Sequence, residues 1–296
     1  MKFGLKRRSR RWTASFFFRG TVLMGVLMLL VNAGYLAAQA ALRDPNELWQ
    51  QAVTGNLATF MGLRNSALLP SFAIAMAAFV VIALAHFFTF GPKDMSAKDS
   101  KDLIPWWTLW ERIIHGIVVI SFLLLMFSGL QITYGRYFGG GSMTLFLRQV
   151  HELAGFVYSP AVIIMALMWA RDALFRAYDL EWLKRAGGYL GYKGQIKSGK
   201  FNAGQKFYFW VMIVTAFVHV WTGLSLYYQL GSLATLRLYV TLHLLSTVPM
   251  VLMFIVHLYM TTLGTKGALM GIINGQFSRA AATKFHSEAP GLKKHR

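Results

Sequence analysis

The sequence predicts an all-α integral membrane protein of six spans, in which an N-terminal pair of helices precedes a four-helix bundle. Three observations carry this. Apolar residues make up 56% of the 296 and charged residues only 14%, and the mean hydropathy is +0.47, outside the range of ordinary soluble chains. Six apolar runs, at roughly 15–37, 67–90, 113–133, 149–170, 207–229 and 239–263, are each long enough to cross a bilayer. Basic residues alternate between connecting segments. Lys and Arg number six in 1–14, three in 91–109, eight in 171–206 and six in 264–296, against two in 38–66, two in 134–148 and one in 230–238. That bias puts both termini in the cytoplasm.

The same distribution disposes of nucleic acid as the partner for a net charge of +19, because the cations are spread over loops at one membrane face. Anionic lipid headgroups are the partner they suit. The absence of cysteine excludes disulfides, thiolate catalysis, c-type haem attachment and cysteine-ligated iron–sulfur clusters in this chain.

The first run follows a basic flank and ends at Ala38-Gln39-Ala40, which resembles a signal-peptidase site. Its length favours a retained helix over a cleaved signal peptide. The second carries His86 near its inner end, where a structural, interfacial histidine is expected. The loop after it, with Trp106, Trp107 and Trp110 re-entering the interface, divides a hairpin, 1–100, from a bundle, 101–285; residues 286–296 form a basic tail.

The third span opens with Arg112 and His115 near the cytoplasmic surface, the fourth with Arg148 and His151 near the outer one. Each arginine lies on its histidine's helical face, one turn closer to water. It either snorkels or meets an acidic group of a cofactor such as a haem propionate. Glycines punctuate the polar segment 171–206, which ends Asn202-Ala203-Gly204-Gln205-Lys206. The fifth span holds His219 at mid-depth, without a depth-matched partner and expected to bond a neighbour. The tail, with Gly267, Gly271 and Gly275 at four-residue spacing, reads as an amphipathic surface segment.

The sixth span holds His243 and His257, separated by roughly four turns and about 21 Å of helix, so that both leave nearly one face at opposite depths. His243 matches His151 in depth, and His257 matches His115. Two imidazoles facing each other across a flat macrocycle are the ligation of a b-type haem, which makes this a four-helix di-haem bundle. Gly116, Ser128, Gly129, Gly155, Thr222 and Gly223 are small enough to let a macrocycle approach. Zinc would need more ligands converging at one depth, and a proton relay would need buried carboxylates. A haem-free transporter or anchor stays as the alternative from another class.

At these residues the chain resembles the cytochrome b (gamma) subunit of respiratory, membrane-bound formate dehydrogenases, over about residues 105–285. His115 followed by Ser128-Gly129-Leu130, His151, the Asn202–Lys206 segment, the His243/His257 pair, and Lys266-Gly267 through Met270, Ile272, Gly275 and Arg279 carry the likeness. It implies two haem b groups, the outer on His151 and His243 and the inner on His115 and His257. It also implies a quinone, menaquinone or ubiquinone, reduced on the cytoplasmic side near Asn202, Gly204, Gln205 and His257. The partners implied are an iron–sulfur beta subunit and a molybdenum- or tungsten-pterin alpha subunit that oxidises formate in the periplasm, assembled as a trimer of heterotrimers in the bacterial inner membrane. The cytochrome b subunit of a periplasmic hydrogenase or another oxidoreductase, with the same haems and a different donor, is the alternative. Residues 1–100 exceed the compact form of the family.

Overall fold

The computed structural model describes residues 64–95, 102–137, 140–290 and 292. The first apolar run, its cleavage and most of the 38–66 segment lie outside the described residues. Five of the described helices are long and apolar enough to cross a membrane. A π-helical turn at Arg64–Leu68 leads into α1 (Leu69–Phe90), which Gly91 ends with φ 69°. Its apolar side chains Ile74, Val81 and Phe88 are exposed, as befits a helix facing lipid. α2 (Leu109–Tyr134) begins at a reciprocal cap between Thr108 and Glu111. α3 (Gly141–Trp169) follows a short turn. After the small helix α4 (Ala177–Lys184) come α5 (Ala203–Tyr227), capped by Asn202 and Gln205, and α6 (Leu233–Thr262), capped by Ser232.

The helices outrun the apolar stretches because caps and turn glycines, not hydropathy, set their ends. The bundle is two hairpins, α2 with α3 and α5 with α6, and α1 lies along α6. Ile114, Phe122, Tyr158, Met165, Phe209 and Met250 fill the core.

Short turns close one end of the bundle, and a folded cap closes the other. β1 (Lys93–Asp94) pairs in parallel with β3 (Thr265–Lys266), and β2 (Leu103–Pro105) pairs antiparallel with β4 (Gln276–Ser278). α7 (Ala268–Asn274) and α8 (Arg279–Phe285) complete the cap. The surface segment expected here is thus two short helices tied back by strand pairing. Gly267 and Gly275 bound α7 with φ 92° and 75°, and a Cβ on Gly275 would stand 2.9 Å from the Trp107 carbonyl oxygen. Their spacing marks the two ends of one helix and a close crossing, not a stripe.

At residue 286 the chain is still tied to the cap. His286 is buried and donates from Nδ1 to the Gly199 carbonyl at 2.8 Å, and Ser198 donates to Phe285 O at 2.5 Å. Burial pulls the His286 imidazole from 6.5 down to about 4, with Lys93 adding to it. The unfolded chain therefore binds a proton that the folded cap refuses, and stability falls as pH drops below about 6.5. Amide protection factors around residues 198–201 and 282–289, which allow for the slower intrinsic exchange in acid, should be lower at pH 5 than at pH 7.5, a difference that His286→Gln removes.

Candidate functional site

The His151 and His243 rings face each other with centroids 6.2 Å apart, one from each hairpin. Beside them a cavity of about 520 Å³ runs between α2, α3, α5 and α6, within the range of cofactor pockets. A metal held between two imidazoles by bonds of roughly 2 Å sets ring centres about 6 Å apart, so His151 and His243 are spaced as two residues that would hold one metal ion.

What fixes these rings repeats in both hairpins. Ser128 on α2 lies 2.9 Å from His151 Nδ1, and Thr222 on α5 lies 2.8 Å from His243 Nδ1. Each hydroxyl also donates to a carbonyl four residues back, Ser128 to Leu124 at 2.5 Å and Thr222 to Val218 at 2.6 Å. The glycine after each makes room for the ring. A Cβ on Gly129 would be 3.2 Å from His151 Cε1, and one on Gly223 3.5 Å from His243 Cε1. These small residues therefore seat the imidazoles; Gly155, where a Cβ would meet only Leu125 at 3.9 Å, lines the cavity with Gly129 and Gly223.

The second pair lies at the cap end. His257 stacks flat on Tyr208, with centroids 4.2 Å apart and planes 4° from parallel, and His115 sits 5.8 Å from the Trp169 ring. Tyr208 escapes sequence reasoning, since an aromatic in an apolar run carries no mark of its partner.

The arginines diverge. Arg148 lines the cavity and bonds Glu152 at 3.0 Å. Arg112 turns the other way: its Nε donates to Ile272 O at 2.9 Å and its other arm to Ile273 O, closing the end of α7. Arg237 had no sequence signal. Its Nε and one terminal nitrogen are buried without a hydrogen-bond partner among the described residues, and it stands one turn beyond Val240, which lines the cavity. A desolvated guanidinium is where a carboxylate belongs.

His219 donates from Nδ1 to Thr215 O at 2.7 Å and meets the Thr247 hydroxyl at 2.9 Å, the hydrogen-bonded role expected of it. His86 ties α1 to the bundle through the Tyr259 hydroxyl at 2.5 Å and Tyr189 O at 2.9 Å.

Asn202, Gly204 and Gln205 form the first turn of α5 rather than a loop. Asn202 Oδ1 accepts from the Gln205 amide at 3.0 Å, and Gln205 Oε1 accepts from the Asn202 amide at 2.9 Å. A Cβ on Gly204 would come within 2.9 Å of the Trp182 ring. Asn202 also borders a cleft of about 1070 Å³ in the cap, with Lys93 and Lys284 on its wall. Burial, with Lys284 nearby, pulls the Lys93 ammonium down to about 8. Beside this turn Lys206 and Asp179 form a fully buried ion pair at 2.7 Å.

The family model described as prokaryotic cytochrome b561 matches residues 106–275. The chain is 28% identical over 189 residues to the formate dehydrogenase cytochrome b556 subunit of Haemophilus influenzae, covering 59% of this chain and 77% of that protein. It is similar to two such subunits of Escherichia coli strain K12. For the nitrate-inducible b556(Fdn) subunit the identity is 28% over 188 residues, covering 60% and 85% of the two chains; for b556(fdo) it is 26% over 196 residues, covering 63% and 91%.

Proposed function

The chain belongs to the prokaryotic cytochrome b561 family, and from that premise we propose that it carries electrons from a formate-oxidising module through two b haems to quinone. As a multi-pass membrane cytochrome b it is the electron-transfer subunit of a larger enzyme. The reading rests above all on the facing His151 and His243, with Nδ1 of each tied to a hydroxyl. These two would hold one haem, with Arg148 and Arg237 placed for its propionates, and His115 and His257 would hold the other. Bound there, haem supplies reversible one-electron chemistry. The formate dehydrogenase subunits among its relatives support iron–sulfur and molybdenum- or tungsten-pterin partners, and a trimer of such complexes in the bacterial inner membrane.

Quinone reduction consumes two electrons and two protons, and we assign it to the first turn of α5 near His257. That turn offers the Gly204 backbone N–H and the positive end of a helix to a quinone oxygen, the Gln205 N–H being already donated to Asn202 Oδ1. The Gln205 side chain is exposed, and only its oxygen is used by the cap. Protons arrive from water at the cap.

The basic cap then faces the cytoplasm and the short turns the periplasm. Single cysteines at Ser142 and Ser232 should react with an impermeant thiol reagent in spheroplasts, and one at the exposed Gln195 should not. Ser198 is unsuitable, being fully buried. Labelling at position 195 alone would invert the orientation. A reduced-minus-oxidised spectrum with haem quantification, on the complex purified through this chain, tests the reading as a whole. Two haems reducible by formate are expected; a haem-free chain would leave a transporter or anchor.

A further inference from the structure

We propose that Ser128 and Thr222 act as positioning residues that make the His151/His243 site the lower-potential of the two haem sites, so that electrons run downhill from it to the His115/His257 site. This rests on the two-haem reading above.

A hydroxyl has one proton. In Ser128 it goes to Leu124 O at 2.5 Å and in Thr222 to Val218 O at 2.6 Å, which leaves each oxygen only lone pairs to offer the imidazole. The bonds at 2.9 and 2.8 Å must then be donated by His151 Nδ1–H and His243 Nδ1–H. A neutral imidazole carries a single N–H, so both Nε2 atoms present lone pairs. An acceptor on the distal N–H pushes electron density towards the ligating nitrogen and makes it more basic. A more basic ligand favours ferric over ferrous iron, and second-shell hydrogen bonding of this kind is a recognised lever on haem potential. Here both axial ligands receive it. Gly129 and Gly223, where a Cβ would crowd the ring Cε1 atoms, leave each imidazole room to reach the position where the bond forms.

The other pair is built differently. Among the described residues neither His115 nor His257 has a hydrogen bond on a ring nitrogen; their neighbours are the Trp169 and Tyr208 rings.

The test is a redox titration, followed by visible absorption, of the complex purified through this chain. Wild type should titrate in two components, and His243→Ala should abolish the lower one. In Ser128→Ala/Thr222→Val both haems remain, while the lower component rises by about tenfold in electron affinity, ~59 mV for a one-electron couple, and the upper stays in place. Ser128→Thr/Thr222→Ser, which keeps both hydroxyls, should leave both components unmoved. If the double variant loses a haem, Thr222→Val alone should give a smaller rise of the same sign. A lower component that does not move, an upper component that moves instead, or loss of the upper component in His243→Ala overturns the proposal while leaving the two-haem reading intact. A wild-type complex with one haem overturns that reading itself.

Discussion

Complexes carrying His243→Ala are expected to hold about one haem where wild type holds two. Among the described residues His151 faces His243 and no third carboxylate, cysteine or histidine converges to form a cluster with them, so a macrocycle there would be left with one strong axial bond. His219 is the neighbour that might be thought to substitute, its ring only 4.6 Å from that of His243. It is committed at both nitrogens, to Thr215 O and to Thr247, and reaching the cavity axis would break both bonds. His151→Ala should behave like His243→Ala, and His115→Ala or His257→Ala should remove the other haem. His219→Ala should keep both. Pyridine haemochrome quantification per complex reads the outcome, and loss of a haem in His219→Ala with two retained in His243→Ala would overturn the ligand assignment.

The largest expected loss of stability comes from Lys206→Met. Lys206 and Asp179 are buried to within 1–2% of full enclosure, and Asp179 Oδ1 has no hydrogen-bond partner among the described residues. Removing the ammonium strands a desolvated carboxylate, a change that costs about 3–5 kcal/mol. The pair joins α4 to the first turn of α5, so the cap should loosen with it and quinone reduction should fall. Replacing both partners, in Lys206→Met/Asp179→Leu, removes the stranded charge and should recover most of the stability. Haem retention on heating gives the order: wild type, double variant, single variant. A single variant as stable as the double one would show that the pair contributes nothing beyond its packing.

Hydropathy made the helix interiors legible, because length and apolarity alone decide what can cross a bilayer. It could not find the ends. Those lie in Thr108/Glu111 and Asn202/Gln205, reciprocal caps whose four-residue signature is as readily taken for loop chemistry. The histidine depths were legible from spacing along a single helix, since 3.6-residue periodicity needs no partner. The hydroxyls on Nδ1 were not, for the rotation of α2 against α3 and of α5 against α6 is set by packing, and Ser128 and Thr222 read only as small residues. Arg112 shows the limit of same-face reasoning. It does lie one turn from His115, but the returning tail offers it the end of α7, a contact between segments 160 residues apart in the chain. Arg237 was invisible for the opposite reason, as nothing in a sequence shows that a charge will be left without a partner.

The pairing of β1 with β3 also imposes an order on biosynthesis. Lys93 meets Thr265, and α1 lies along α6, so the front of the described chain closes against almost its last part. At about 5–20 residues per second, roughly ten to thirty seconds of translation separate the two. Throughout that interval α1 lacks α6, against which it packs, and His86 waits for both Tyr189 and Tyr259. The two hairpins, whose contacts are local, can meet first and enclose their cofactor cavity. The cap seals afterwards, which leaves the nascent bundle open at that end until synthesis is nearly complete.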